Sequence, residues 1–448
     1  MDSNASGGGL TRGAAAFIRQ SGLTFGVNTL NTFFNAVQGI VIARVLGPSG
    51  KGTLYVIMQL SKLVLELGHL SIGPSNAYHV GGKKIPASRA YGASFYFAVA
   101  ISVVMAFVVA AIFPFLKTAL FSDTDPRLAI AVLAIVPLSL FTSYIQHISL
   151  GLQQVGRYNL VEFSKHFTEV MLIVAFLLWL RMGIPGVIVG LIIGRVLSTV
   201  LAMVLLGRSA RIEFRIPWSE VRSLLSFGLQ THGILMLSVL SGPLTTFILK
   251  YKTDSATVGV YSVAISLSML MLKLPDSVGT VLFPRVAASS REQASAMSSR
   301  VCRNTTFVTI LICIAGAVAG PPMIRLLYGE EFAASGAVFL WLLPGVVLFG
   351  IYRILYRDLL GQGKPLLLML SFASSIPVTV ALTWVLAGPY GSVGAAIATC
   401  VGYGVTALMA LFFYVREYRI PIASVLLVNR ADLALYFEIW RAVARRRF

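Results

Sequence analysis

Twelve stretches of some twenty or more mostly apolar residues follow one another along this chain of 448 residues, at 21–46, 53–78, 90–114, 128–152, 159–180, 184–206, 224–249, 257–283, 304–327, 334–356, 366–387 and 391–414. Crossing the hydrocarbon core of a bilayer takes about 20 such residues. Helices are the spanning form this pattern allows, because a barrel gives short alternating segments. The expected fold class is therefore an all-α polytopic membrane protein. With 57% hydrophobic residues, 12% charged and a mean hydropathy of +0.83, an ordinary soluble domain is excluded.

Residues that shape backbone recur at a constant offset of about 207. Gly52 matches Gly259, Pro137 matches Pro344, and Gly156-Arg157 matches Gly363-Lys364; one residue further on, Gly186 matches Gly394 and Gly194 matches Gly402. The chain is read as a duplicated six-helix unit. An even number of spans per copy gives both the same orientation, related by an axis along the membrane normal. The expected organisation is a cytoplasmic segment 1–20, an N-lobe 21–207, a cytoplasmic linker 208–223, a C-lobe 224–415 and a basic tail 416–448. In that tail Asp432 is a possible N-cap, and Leu433, Phe437, Trp440 and Val443 follow at helical spacing, as in an amphipathic helix on an anionic leaflet.

The net charge of +19 follows the membrane and does not imply nucleic acid. With the N-terminus inside, cytoplasmic segments hold 24 of the 36 Lys and Arg and the opposite side eight. The positive-inside rule then puts both termini in the cytoplasm, and the first helix serves as its own insertion signal. Cys302, Cys313 and Cys400 show neither disulfide nor metal-ligand spacing and read as small apolar fillers. Loops are short, the longest at about 207–223 and 284–303, so no segment outside the spans folds as a catalytic domain. No catalytic residue, metal site or cofactor is expected.

Function must then lie in polar residues among the helices. Asn28, Asn31, Asn35 and Gln38 recur every three or four residues along one face of the first stretch, and the seventh echoes them with Ser238 and Thr245. Lipid does not solvate such a stripe, so it faces protein or a water-filled cavity; interhelical hydrogen bonding is the plainer alternative. The second stretch carries Lys62, Glu66 and His69, and the eighth carries Lys273 and Asp276. A charge at mid-membrane costs about 3 kcal/mol even on a lenient scale, so these are functional candidates unless they neutralise each other as Lys62–Glu66 and Lys273–Asp276 pairs. Arg195 has no acidic residue one turn away, and its partner must come from another helix or a ligand. Arg44 and Arg285 lie nearer helix ends, where snorkelling explains them equally well. Gly73-Pro74, Gly242-Pro243 and Pro275 mark possible helix breaks.

The run Ile42-Ala43-Arg44-Val45-Leu46-Gly47-Pro48, followed by Gly52 and Tyr55, resembles the end of the first helix and first loop of polysaccharide flippases in the multidrug/oligosaccharidyl-lipid/polysaccharide exporter superfamily. Val281-Leu282-Phe283-Pro284-Arg285 resembles the end of their eighth helix. The resemblance implies two six-helix lobes facing a central cavity lined by helices one, two, seven and eight, with alternating access. It implies a polyprenyl-diphosphate-linked oligosaccharide as cargo, moved from the inner to the outer leaflet of the cytoplasmic membrane. Lys62, Lys273 and Arg195, with Arg44 and Arg285, would then engage phosphate. Asn and Gln side chains suit sugar hydroxyls. Glu66, His69 and Asp276 are candidates for coupling to H+ or Na+. Lipid II flippases of the same superfamily usually add two C-terminal helices that shelter the lipid tail, and residues 416–448 hold no clear pair of spans. Rival readings are a cation-coupled drug exporter and, in the enzyme class, a membrane glycosyl polymerase or ligase, which usually shows a long external loop that is missing here.

Overall fold

A computed structural model describes residues 5–121, 125–427 and 432 of the chain; in residues 5–21 and at 234, 235 and 237–239 only the backbone path is described. The described residues are helical almost throughout, as a bilayer solvent requires. They divide into two compact units, Met1–Met236 and Leu237–Phe448.

The first unit contains α1 (Ala5–His69), α2 (Ile72–Gly81), α3 (Ala87–Leu120), α4 (Pro126–Leu133), α5 (Ile135–Gly151), α6 (Val155–Val174), α7 (Gly183–Gly207) and the start of α8 (Trp218–Lys252). α1 is two helices joined by a kink at Gly47, whose φ of 64° and ψ of −176° are open to glycine alone. Pro48 follows as the first residue of the second arm, where its missing N–H costs nothing. The chain breaks again at Leu70 and Ser71, both at positive φ. The break therefore falls three residues before the expected Gly73-Pro74, because Pro74 sits in the first turn of α2, where proline is tolerated. Tyr144 caps the broken end of α1 by donating to the carbonyls of Gly68 at 3.3 Å and His69 at 3.1 Å.

α6 and α7 approach closely because α7 presents Gly186, Gly190 and Gly194 at intervals of four. A Cβ on Gly190 would lie 3.0 Å from Ile173, and one on Gly194 would lie 2.7 Å from Glu169. Small residues at this spacing let transmembrane backbones meet. The connection 208–217 begins with a turn at 208–209 and continues without helix or strand, and Glu213 donates its N–H to the carbonyl of Ser88.

The second unit contains the rest of α8, then α9 (Ser255–Met271), α10 (Lys273–Ala287), α11 (Arg291–Tyr328), α12 (Ala334–Gly361), α13 (Pro365–Tyr418) and α14 (Ile422–Leu426). α9 and α10 meet at a bend of 41°, and Pro275 lies in the first turn after it, the position proline permits. α8 by contrast continues through Gly242-Pro243 without a break. The long loop expected at 284–303 shrinks to three residues, because Ser290 and Gln293 form a capping box that starts α11 at Arg291. α13 carries a second glycine kink at Gly391, φ 55° and ψ −131°.

Seven described helices are long and apolar enough to cross a membrane, and the bent α9–α10 pair makes an eighth; two of the seven, of 48 and 54 residues, contain the Gly47 and Gly391 kinks. The amphipathic helix expected after Asp432 lies outside the described residues.

Candidate functional site

In the first unit the stripe on α1 divides by environment. Asn31 is buried and its carbonyl oxygen makes no hydrogen bond, while Asn28 is exposed. Asn35 and Gln38 line a cavity of about 160 Å3 together with Lys51 and Tyr55 from the second arm of the same helix. Arg44 is exposed near the kink.

Further along that arm, Lys62 is exposed and makes no ion pair with Glu66. The self-neutralised pair is therefore not formed. Glu66 faces His232 of α8, a buried residue whose Nε2 has no hydrogen-bond partner. His69, the last residue of α1, shares a hydrogen bond of 2.9 Å with the Ser143 hydroxyl on α5, and His147 Nδ1 donates to the Ser143 carbonyl at 2.8 Å. His69, His147 and His232 thus gather with Glu66 around the broken end of α1. Spacing could not reveal this group: its members come from positions 66–69, 147 and 232, and only the pairing of α1 with α5 and α8 unites them.

Arg195 has the cross-helix partner its isolation required. Glu169 of α6 approaches its guanidinium at 3.1 Å, with the Glu169 side chain 7% exposed and that of Arg195 20%. The glycines of α7 make this meeting possible. Two turns earlier on α6, Glu162 pairs with Lys165 at 2.6 Å and accepts from Gln146 at 3.1 Å.

In the second unit, Asp276 pairs with Arg353 of α12 at 3.3 Å, not with Lys273. Position decides this. Asp276 turns toward α12, where Gly350 admits Pro275, while Lys273 is exposed at the bend. Arg353 also lies over the Phe349 ring, 4.9 Å from its centroid. Arg285 is exposed at the mouth of a largely apolar cavity of about 400 Å3 that includes Val281 and Met297. Thr245 is buried and its hydroxyl is spent on the carbonyl of Ser241 at 3.1 Å. The side chain of Ser238 lies outside the described residues. Asp358, which spacing did not single out, is fully buried and accepts from Ser298 at 2.5 Å and Tyr418 at 2.7 Å, tying α11, α12 and α13 together.

Among the described residues no group of three or more His, Cys, Asp or Glu is arranged to hold a metal ion. The chemistry on offer is electrostatic: exposed ammonium groups at Lys62 and Lys273, a histidine-carboxylate group, and amides.

The sequence profile of the polysaccharide biosynthesis protein family matches residues 41–337, which is more than half of the chain. The chain belongs to that family. Within the family assignment, a similar curated sequence is the probable low-salt glycan biosynthesis flippase Agl15 of Haloferax volcanii, 23% identical over 156 residues. That alignment spans 34% of this chain and 33% of the relative, so about a third of its length. The fold is similar to the lipid II flippase MurJ in an inward closed conformation, with a TM-score of 0.75 and 16% identity over 94% of this chain and 92% of that one. It is also similar to an inward-facing multidrug resistance MATE family transporter of the MOP superfamily, with a TM-score of 0.71 and 15% identity over 87% of this chain and 94% of that one. The family member described here thus has the fold of polytopic membrane transporters.

Proposed function

We propose that this protein is a flippase that moves a polyprenyl-diphosphate-linked oligosaccharide from the cytoplasmic to the outer leaflet for surface polysaccharide synthesis, by alternating access. The observation that carries this reading is the pair of unneutralised ammonium groups, Lys62 on α1 and Lys273 on α10, in a member of a polysaccharide biosynthesis family. A diphosphate supplies the counter-charge each lacks. Arg195 enters the same reading with less freedom, since Glu169 already occupies its guanidinium. The group formed by Glu66, His69, His147 and His232, and on the other unit Asp276, is where a coupling H+ or Na+ would act.

Twelve spans in two lobes of a parallel repeat fit the helices. The kinks at Gly47 and Gly391 divide two long helices into four spans, and the less apolar α6 and α8 supply two more. Gly183 and Gly391, both at positive φ, stand at nearly the offset that relates the halves. In this reading the protein sits in the cytoplasmic membrane with both termini inside.

The test is made in the source cell. Deleting the gene should cause carrier-linked oligosaccharide to accumulate and one surface polymer to disappear. Wild type should restore it, and the Lys62→Ala/Lys273→Ala double variant should not, although it reaches the membrane folded. Unchanged glycans after deletion would reject the flippase reading and favour the drug exporter, which the similarity to the MATE fold supports.

A further inference from the structure

The cavity that holds Asn35 and Gln38 contains a cation that the phosphate reading does not use. The Gly47 kink and Pro48 fold the second arm of α1 back on the first, and this brings Lys51 against the backbone of Gly39. Lys51 Nζ donates to the Gly39 carbonyl at 3.3 Å, a long bond that occupies one of three ammonium hydrogens. No carboxylate lies against it among the described residues. The four-carbon stem would let the ammonium snorkel away from the protein. Instead it lines the half-open cavity, to which Ile42 and Leu54 add apolar surface, and stays half-buried there. Two amide side chains one helical turn apart, Asn35 and Gln38, face the same space, and neither makes a hydrogen bond among the described residues.

A cation partly withdrawn from water without a counter-charge is unfavourable, and in a membrane protein such a group marks a ligand or a partner. Amides flanking it add neutral donors and acceptors suited to hydroxyls. We infer that Lys51, Asn35 and Gln38 form a subsite for an oxyanion, carboxylate or phosphate, carried on a hydroxyl-rich group. Lys51 lies 11 residues before Lys62 on the same arm, roughly 16 Å along the helix. One diphosphate cannot reach both ammonium groups. Resting on the flippase reading, the subsite therefore takes a second anionic group of the cargo, on its glycan: the carboxylate of an acidic sugar, or a phosphate substituent.

The experiment uses the full chain in phosphatidylcholine nanodiscs, titrated calorimetrically with glucuronate, glucose, glucose 1-phosphate and inorganic phosphate. Glucuronate or glucose 1-phosphate should bind at least tenfold more tightly than glucose, and the one that does so names the source of the oxyanion. Lys51→Met should remove that margin, Lys51→Arg should keep part of it, and Lys117→Met, at an exposed residue of α3 outside the cavity lining, should leave it intact. Asn35→Ala/Gln38→Ala should lower affinity for both sugar anions while leaving inorganic phosphate unchanged, which keeps the inference testable if Lys51→Met does not fold. Equal binding of glucose and both anions, or a margin that survives Lys51→Met, overturns it. Transport plays no part in these titrations, so a failed subsite and a failed flippase reading give different results: the second shows in the deletion strain, the first only here.

Discussion

Glu169 and Arg195 stand 3.1 Å apart on α6 and α7, and the glycines of α7 are what let them meet. Removing either partner alone leaves a charge in the unit's interior. Glu169→Gln or Arg195→Met should therefore cost about 3 to 5 kcal/mol, and the double variant should recover part of that loss. Thermal unfolding in detergent measures it. If the double variant also restores glycan export, the role of Arg195 is structural; if export stays lost while stability returns, Arg195 touches the cargo.

Gly194→Ala tests the helix contact itself. Its Cβ would come within 2.7 Å of the Glu169 side chain and force α6 and α7 apart, at a cost of about 1 to 3 kcal/mol. Gly207→Ala meets nothing within 4 Å and should be neutral or slightly stabilising. Equal unfolding temperatures for the two variants would contradict the close contact.

At Gly47 the backbone occupies a region that side chains avoid. Gly47→Ala should cost about 1 to 3 kcal/mol and shift the register of the two arms of α1, separating Lys51 from Gly39. A cysteine pair at facing positions of the two arms should cross-link efficiently in the parent and poorly in this variant.

Asp276 and Arg353 expose about a third of their side chains, 35% and 37%. Their pair should then contribute less than about 1 kcal/mol to stability. Asp276→Asn should leave the unfolding temperature nearly unchanged while reducing transport driven by an imposed ion gradient in proteoliposomes. Undiminished gradient-driven transport would remove Asp276 from ion coupling.

Much of the fold is legible in the residues because bilayer physics is unforgiving. Apolar runs of sufficient length must be helices, and Pro48, Pro74 and Pro275 at the first turns of helical segments follow from what proline lacks. Capping at Ser290 was equally readable, yet the segment after it looked like a loop, because its polar residues outweighed the cap. The kink at Gly47 sits inside the very motif that carried the family resemblance. The candidate site was legible only in part. Lys62 and Lys273 stand exposed without the Lys62–Glu66 and Lys273–Asp276 pairs that i, i+4 and i, i+3 spacing offered as an alternative; Asp276 turns instead to Arg353, since helix neighbours in sequence compete with whole helices packed alongside.

What the sequence by itself determined is the solvent this protein needs and the kind of element that survives there, because apolar length and backbone hydrogen bonding act locally. It also determined which polar residues would be costly in that solvent. The tertiary structure alone decided their partners: Glu169 for Arg195, Arg353 for Asp276, Ser143 for His69, and for Lys51 the Gly39 carbonyl beside Asn35 and Gln38, with no carboxylate. Glu169–Arg195, Asp276–Arg353 and His69–Ser143 join positions 26 to 77 residues apart, and such contacts depend on which faces allow two helices to approach, a choice made by packing and not by spacing.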